Sequence, residues 1–142
     1  MKPGLHDPAR VLKEPETEAD RWAREVIGAA IEVHRVLGPG YLESVYQHAM
    51  EVELRLRGIP FSSQQPLKVK YKDAEVGESH LDLWIAGKLI VELKAVEEFH
   101  PIHTAQVISY LKSTGGELGL LINFNVMVLK NGIKRVVLTK KK

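Results

Sequence analysis

A chain of 142 residues is long enough for one compact domain that buries most of its apolar surface without disulfides or extra subunits. It has no cysteine, which excludes thiolate metal sites, thiol nucleophiles and disulfides and agrees with a reducing cytoplasm as the expected compartment. The 20 Lys and Arg against 18 Asp and Glu leave a net charge of +2, which permits a polyanionic partner without demanding one.

Residues 1 to about 16 carry Pro3, Gly4, Pro8 and Pro15 without sustained periodicity, and are expected to form a loose arm rather than a secretory signal. No apolar run approaches the length of a membrane span. The expected domain runs over 17–139, and Lys140, Lys141 and Lys142 read as a basic, solvated tail. Thr17 and Asp20 have the spacing of a capping box. After them Val26, Ile27, Ala30, Ile31, Val33, His34 and Leu37 recur at helical spacing up to the stop Gly38-Pro39-Gly40. Leu42, Val45, Ala49, Val52 and Leu56 predict a second amphipathic helix, closed by Gly58 and Pro60.

The period then changes from 3.6 to 2. Leu67, Val69 and Tyr71 alternate with Lys68, Lys70 and Lys72, the pattern of a strand with one wet face. The hairpin from His80 to Lys94 follows, and it sets two carboxylates and a lysine inside apolar strand sequence. A two-residue turn at Ala86-Gly87 would mix its apolar sets across both faces. A three-residue loop, Ala86-Gly87-Lys88, instead pairs Leu81 with Leu93 and Asp82 with Glu92, so that one face is core and the other carries Asp82, Glu92 and Lys94.

Pro101, Ile102, Ala105, Ile108 and Leu111 predict a third helix ending at Gly115-Gly116, and Leu118 to Ile122 an inner strand covered on both faces. Val126–Leu129 and Ile133–Leu138 flank Lys130-Asn131-Gly132, where Asn-Gly favours a type I′ hairpin turn. The expected order is α, α, β, β, β, α, β, β, β, an α/β chain with one mixed sheet and helices packed on it.

Two carboxylates on adjacent strands repel, and burial raises the cost unless a cation lies between them. Hard oxygen ligands suit Mg²⁺, which takes one or two protein carboxylates and fills its other positions with water and phosphate oxygens. Lys94, two residues beyond Glu92 on the same face, would orient a water or offset developing charge. The alternative is a solvated Glu92–Lys94 pair with Asp82 merely near a turn, and the apolar surroundings weigh against it. Of His34, His80, His100 and His103, the last two flank a proline at a helix start and could touch phosphate or carry protons, but they read first as surface or cap residues. No His pair sits at helical metal spacing with a suitable third ligand for zinc. The Lys68, Lys70 and Lys72 row reads as a wet strand face before it reads as a phosphate track.

Asp82 followed ten residues later by Glu92-Leu93-Lys94 resembles the signature of the PD-(D/E)XK nuclease superfamily. Gln106 to Tyr110 is similar to the Q-x-x-x-Y extension of some branches, and Gly40 to Tyr46 resembles the motif that names the GxxExxY family, a small branch of it. Leu81 stands where the superfamily name has proline, which removes no ligand. The resemblance implies a restriction-endonuclease-like αβββαβ core with an extra N-terminal helix and a C-terminal hairpin. It makes Asp82, Glu92, Glu43 and the Leu93 carbonyl metal ligands and Lys94 the catalytic lysine, with Gln106 and Tyr110 lining the site. It also implies a nuclease that uses Mg²⁺, replaceable by Mn²⁺, to hydrolyse DNA, with RNA as second choice. Separately, a domain this small leaves few residues for a dedicated DNA-reading element, so a homodimer is a further expectation. The other expectations are an inactive nucleic-acid-binding or protein-interaction module on the same fold and, more weakly, a phosphohydrolase of small phosphate esters.

Overall fold

The computed structural model describes residues 16–139, so the expected arm before Glu16 and the basic tail lie outside the described residues. Helix α1 (Glu18–Leu37) begins at the capping box: Thr17 Oγ1 accepts the Asp20 N–H at 3.0 Å while Asp20 Oδ2 accepts the Thr17 N–H at 3.0 Å. Helix α2 (Glu43–Leu56) follows, then strands β1 (Phe61–Tyr71), β2 (Ala74–Ile85) and β3 (Leu89–Lys94), helix α3 (Pro101–Thr114), strand β4 (Leu118–Asn123) and strand β5 (Ile133–Val137). The five strands form one sheet in the order β1-β2-β3-β4-β5. Only the β3/β4 pair is parallel, as the α3 crossover between them requires.

Two apolar layers hold the sheet. Against α1 and α2, Val26, Ala30, Met50 and Leu54 pack with Leu83, Ile85, Val91, Leu93, Leu120 and Ile122. Against α3, Val107 and Leu111 pack with Leu81, Ile90, Leu121 and Val136. Strands β3 and β4 are therefore covered on both faces, which is why their sequences read as nearly unbroken apolar runs. The outer ribbon of β1 and β2 is different: Lys68 to Glu78 is exposed throughout, with Lys68 paired to Glu75 at 3.1 Å. The lysine row is a solvated strand face.

The hairpin register is the one a three-residue loop imposes, with Ile85 opposite Leu89, Trp84 opposite Ile90 and Leu83 opposite Val91. The expected placement of Leu81 and Leu93 on one core face is corrected. Leu81 packs with Ile90, Val107 and Leu111 on the α3 side, whereas Leu93 packs on the side of α1 and α2. The regular alternation fails beside Asp82, where Gln64 on the neighbouring strand takes a φ of 49° and drops out of the β1/β2 pairing.

The expected strand over Val126–Leu129 and its type I′ turn are also corrected. Val126 leaves the sheet because His34 Nε2 bonds its carbonyl at 2.7 Å, and Leu129 is buried in the α1/α2 layer. Residues Leu129–Gly132 then form a 3₁₀ turn, and β5 pairs directly with β4, so the sheet has one strand fewer than the pattern suggested. Gly132 is needed for close approach rather than for a positive φ, since a Cβ there would collide with the Asn123 carbonyl. Gly132→Ala is expected to lower stability by roughly 1–3 kcal/mol in urea unfolding, a loss that an ordinary surface glycine would not produce.

Candidate active site

The site is built where the β2/β3 ladder stops. Beyond Leu83 and Val91 the two acidic side chains take over the role of the missing backbone bonds. The Asp82 N–H donates to Glu92 Oε2 at 2.9 Å, and the Leu93 N–H donates to Asp82 Oδ2 at 2.8 Å. Each carboxylate thus clasps the backbone of the opposite strand, which holds the two acids side by side near the C-terminal end of β3. Gln47 on α2 donates to the Asp82 carbonyl at 2.9 Å, and Gln64 reaches Asp82 Oδ1 at 3.4 Å.

Glu92 is only 3% exposed. Burial, and after it the neighbouring Asp82 charge, push its carboxyl up to about 8, against the opposing pull of the Asp82 N–H and of Lys94. Asp82 is raised too, by burial, with the Leu93 N–H, Gln64 and Lys94 opposing. Among the described residues neither acid takes part in a salt bridge, so Lys94 acts on them from beyond ion-pair contact.

Glu43 opens α2 and is reached by solvent, yet its carboxyl is raised by lost hydration and by the Asp82 charge, with Lys94 opposing. It therefore faces the same field without joining the pair. Among the described residues no group of three His, Asp or Glu gathers closely enough to hold a metal ion alone. Tyr110 is buried, and its phenol is raised by that burial and by the Glu92 and Asp82 charges. Leu93 enters the site through its backbone, while its side chain lies in the core.

His34 and His80 do other work. His34 ties down Val126, and His80 lies exposed 3.5 Å from Glu78. A hollow of about 490 Å³, lined in part by Trp84, Lys88, Gly115 and Arg135, lies at the opposite end of β3 and contains neither acid. Glu92, by contrast, lies near the carboxyl end of β3, which runs parallel to β4, with Asp82 beside it on β2, and open α/β sheets bind ligands at the carboxyl ends of such strands.

Sequence reasoning missed two polar residues. Gln47 is buried and bonds Glu51 at 2.9 Å and Ser63 at 3.1 Å besides Asp82, which joins α2 to β1 and β2. Its signal was an amide within the stripe formed by Tyr46, Met50 and Leu54. Asn123 clasps Val96 with two bonds, accepting its N–H at 3.0 Å and donating to its carbonyl at 2.8 Å, and so fixes the chain just after Lys94. A lone amide closing an apolar strand was the available sign.

A divalent ion fits this donor set: two adjacent hard-oxygen ligands, buried, both strained toward protonation and lacking a contacting cation. Without the ion, folded Glu92 keeps its proton up to about pH 8, while an unfolded glutamate loses it near 4.5. The folded state then binds more protons, and the Glu92 contribution to stability falls as pH rises through that window. In EDTA, Glu92→Gln is expected to unfold later than the parent at pH 8.5 by about a few kcal/mol, with the difference vanishing near pH 4. Urea midpoints across pH check it.

A family model of the PD-(D/E)XK nuclease superfamily matches residues 20–136, from the first turn of α1 to β5. Comparison with curated proteins and with solved structures returns no match. Residues 20–136 contain the acid pair, the lysine and every element of the sheet, and on that match the chain belongs to the PD-(D/E)XK nuclease superfamily.

Proposed function

We propose that this chain is a divalent-metal-dependent nuclease that hydrolyses phosphodiester bonds of DNA, with RNA the second choice, and that Mg²⁺ is its ion, with Mn²⁺ able to substitute. One observation carries the reading: Asp82 on β2 and Glu92 on β3 lie clasped together, with no ion pair to either among the described residues, and β3 also bears Lys94. Asp82 and Glu92 would hold the ion with the Leu93 carbonyl, and Glu43 would complete the set from α2. When bound, such an ion polarises a phosphoryl oxygen and lowers the pKa of water.

The chain's own residues supply the rest. Lys94, two residues beyond Glu92 on β3, would meet the phosphate and offset charge that grows in the transition state. Gln106 and Tyr110 on α3 border the site from the other side. The mutual clasp of Asp82 and Glu92 fixes both carboxylates before substrate arrives, so little reorganisation remains.

Within the superfamily, the GxxExxY branch is the assignment we favour, because its residues act together here. Gly40 has a φ of 107°, which favours glycine. The Tyr46 hydroxyl donates to the Gly38 carbonyl at 2.6 Å and accepts the Tyr41 N–H at 3.2 Å, and its ring stacks on Phe124 with centroids 4.6 Å apart. This clamp sets the loop that leads into Glu43. No helix among the described residues is long and apolar enough to cross a membrane, and a cysteine-free chain suits the cytoplasm. A homodimer would supply extra surface for a nucleic acid longer than this small domain.

Glu92→Ala and Lys94→Ala are each expected to lower Mg²⁺-dependent DNA cleavage by at least about 100-fold, with circular dichroism unchanged. Gel assays on supercoiled, linear and single-stranded DNA check this. Cleavage that persists in excess EDTA, or equal cleavage by parent and variants, would overturn the reading in favour of a non-catalytic module.

A further inference from the structure

We propose that His103 is a catalytic residue that donates a hydrogen bond through its Nε2–H to a phosphate oxygen of the nucleic acid strand, an assignment that rests on the nuclease reading above. Helix α3 begins at Pro101 with His100 as its cap, and His103 Nδ1 accepts the His100 N–H at 3.1 Å. A ring nitrogen that accepts carries no proton, so the neutral ring holds its proton on Nε2. Among the described residues that Nε2–H donates to nothing, although the ring is half-buried and packs edge-on to Phe99, centroids 6.1 Å apart.

His103, Gln106 and Tyr110 stand at i, i+3 and i+7, so they share one face of α3. Tyr110 packs in the layer that holds Leu81, next to Asp82, and Ile90, two residues before Glu92, and Phe99, on which the His103 ring packs, borders the same layer. The stripe therefore lies on the α3 side of β2 and β3, beside the strands that carry the acids and Lys94. Burial first, then Lys94 and His100, hold the His103 ring below its ordinary pKa and keep it neutral. A neutral donor beside Lys94 adds a bond to phosphate without adding a second cation, and the first turn of α3 directs its peptide dipoles toward an anion there.

The cap and the donor can be separated. His103→Ala removes both, His103→Gln keeps both, and His103→Glu keeps the acceptor that caps α3 but has no donor. Steady-state cleavage of a fluorescent DNA oligonucleotide with Mg²⁺, the melting temperature, and the thermal shift on adding Mg²⁺ alone are read for all three. The expected result is a loss of about 10–100-fold in kcat/KM for His103→Ala and His103→Glu, recovery of most of it in His103→Gln, and an unchanged Mg²⁺ shift in His103→Ala. Parent-like cleavage by His103→Glu leaves His103 a helix cap and overturns the proposal, as does parent-like cleavage by His103→Ala. A parent that neither cuts nor binds the oligonucleotide removes the nuclease reading and this inference with it.

Discussion

Two carboxyl groups replace two ladder bonds between β2 and β3, and the rest of the molecule is arranged around that substitution. A carboxylate in a sheet interior is costly, and a second beside it more so. Here each is held by a backbone N–H of the other strand, so neither swings out into water, and Glu92 instead holds its proton up to about pH 8. The cost is met by the two apolar layers that hold β3 and β4 on both faces. A well-packed core thus keeps in place a pair of groups that would separate in a looser one.

The helices approach the pair from both sides. From one layer, α2 sends Gln47 to the Asp82 carbonyl, and its first residue, Glu43, senses the Asp82 charge. From the other, α3 packs Tyr110 in the layer with Leu81 and Ile90, next to the strand positions that carry the acids. The strand after the crossover contributes less visibly: Asn123 of β4 grips Val96, and the Phe124 N–H donates to the Lys94 carbonyl at 2.9 Å. Lys94 is therefore anchored through the backbone on the segment that follows it.

Much of this was legible in the sequence because it depends on period and on punctuation. The capping box at Thr17, the three helices, the loop at Ala86 to Lys88 and the apolar run of β4 all follow from local chemistry, and the hairpin register follows from matching apolar sets. What was not legible depends on partners distant in sequence. The Val126–Leu129 segment has good strand composition, but His34, on a helix 92 residues earlier, takes the carbonyl at Val126. Leu81 obeys the alternation on paper, yet the strand is irregular beside Asp82, where side chains substitute for the ladder. Gln47 could be noticed as a misplaced amide, but only the fold reveals that it touches Asp82.

The bond between Arg135 and Asp20 Oδ1, 2.8 Å long, joins residues 115 apart. It sets the Asp20 carboxyl down to about 2, with Arg135 the main cause and Thr17 next. The same aspartate is half of the box that starts α1, so the opening of the first helix and the last strand share a single side chain. On a ribosome α1 emerges long before Arg135 exists. Its capping box closes between Thr17 and Asp20 alone, whereas the bond from Arg135 waits for β5, a contact between the first turn and the last strand that can form only late.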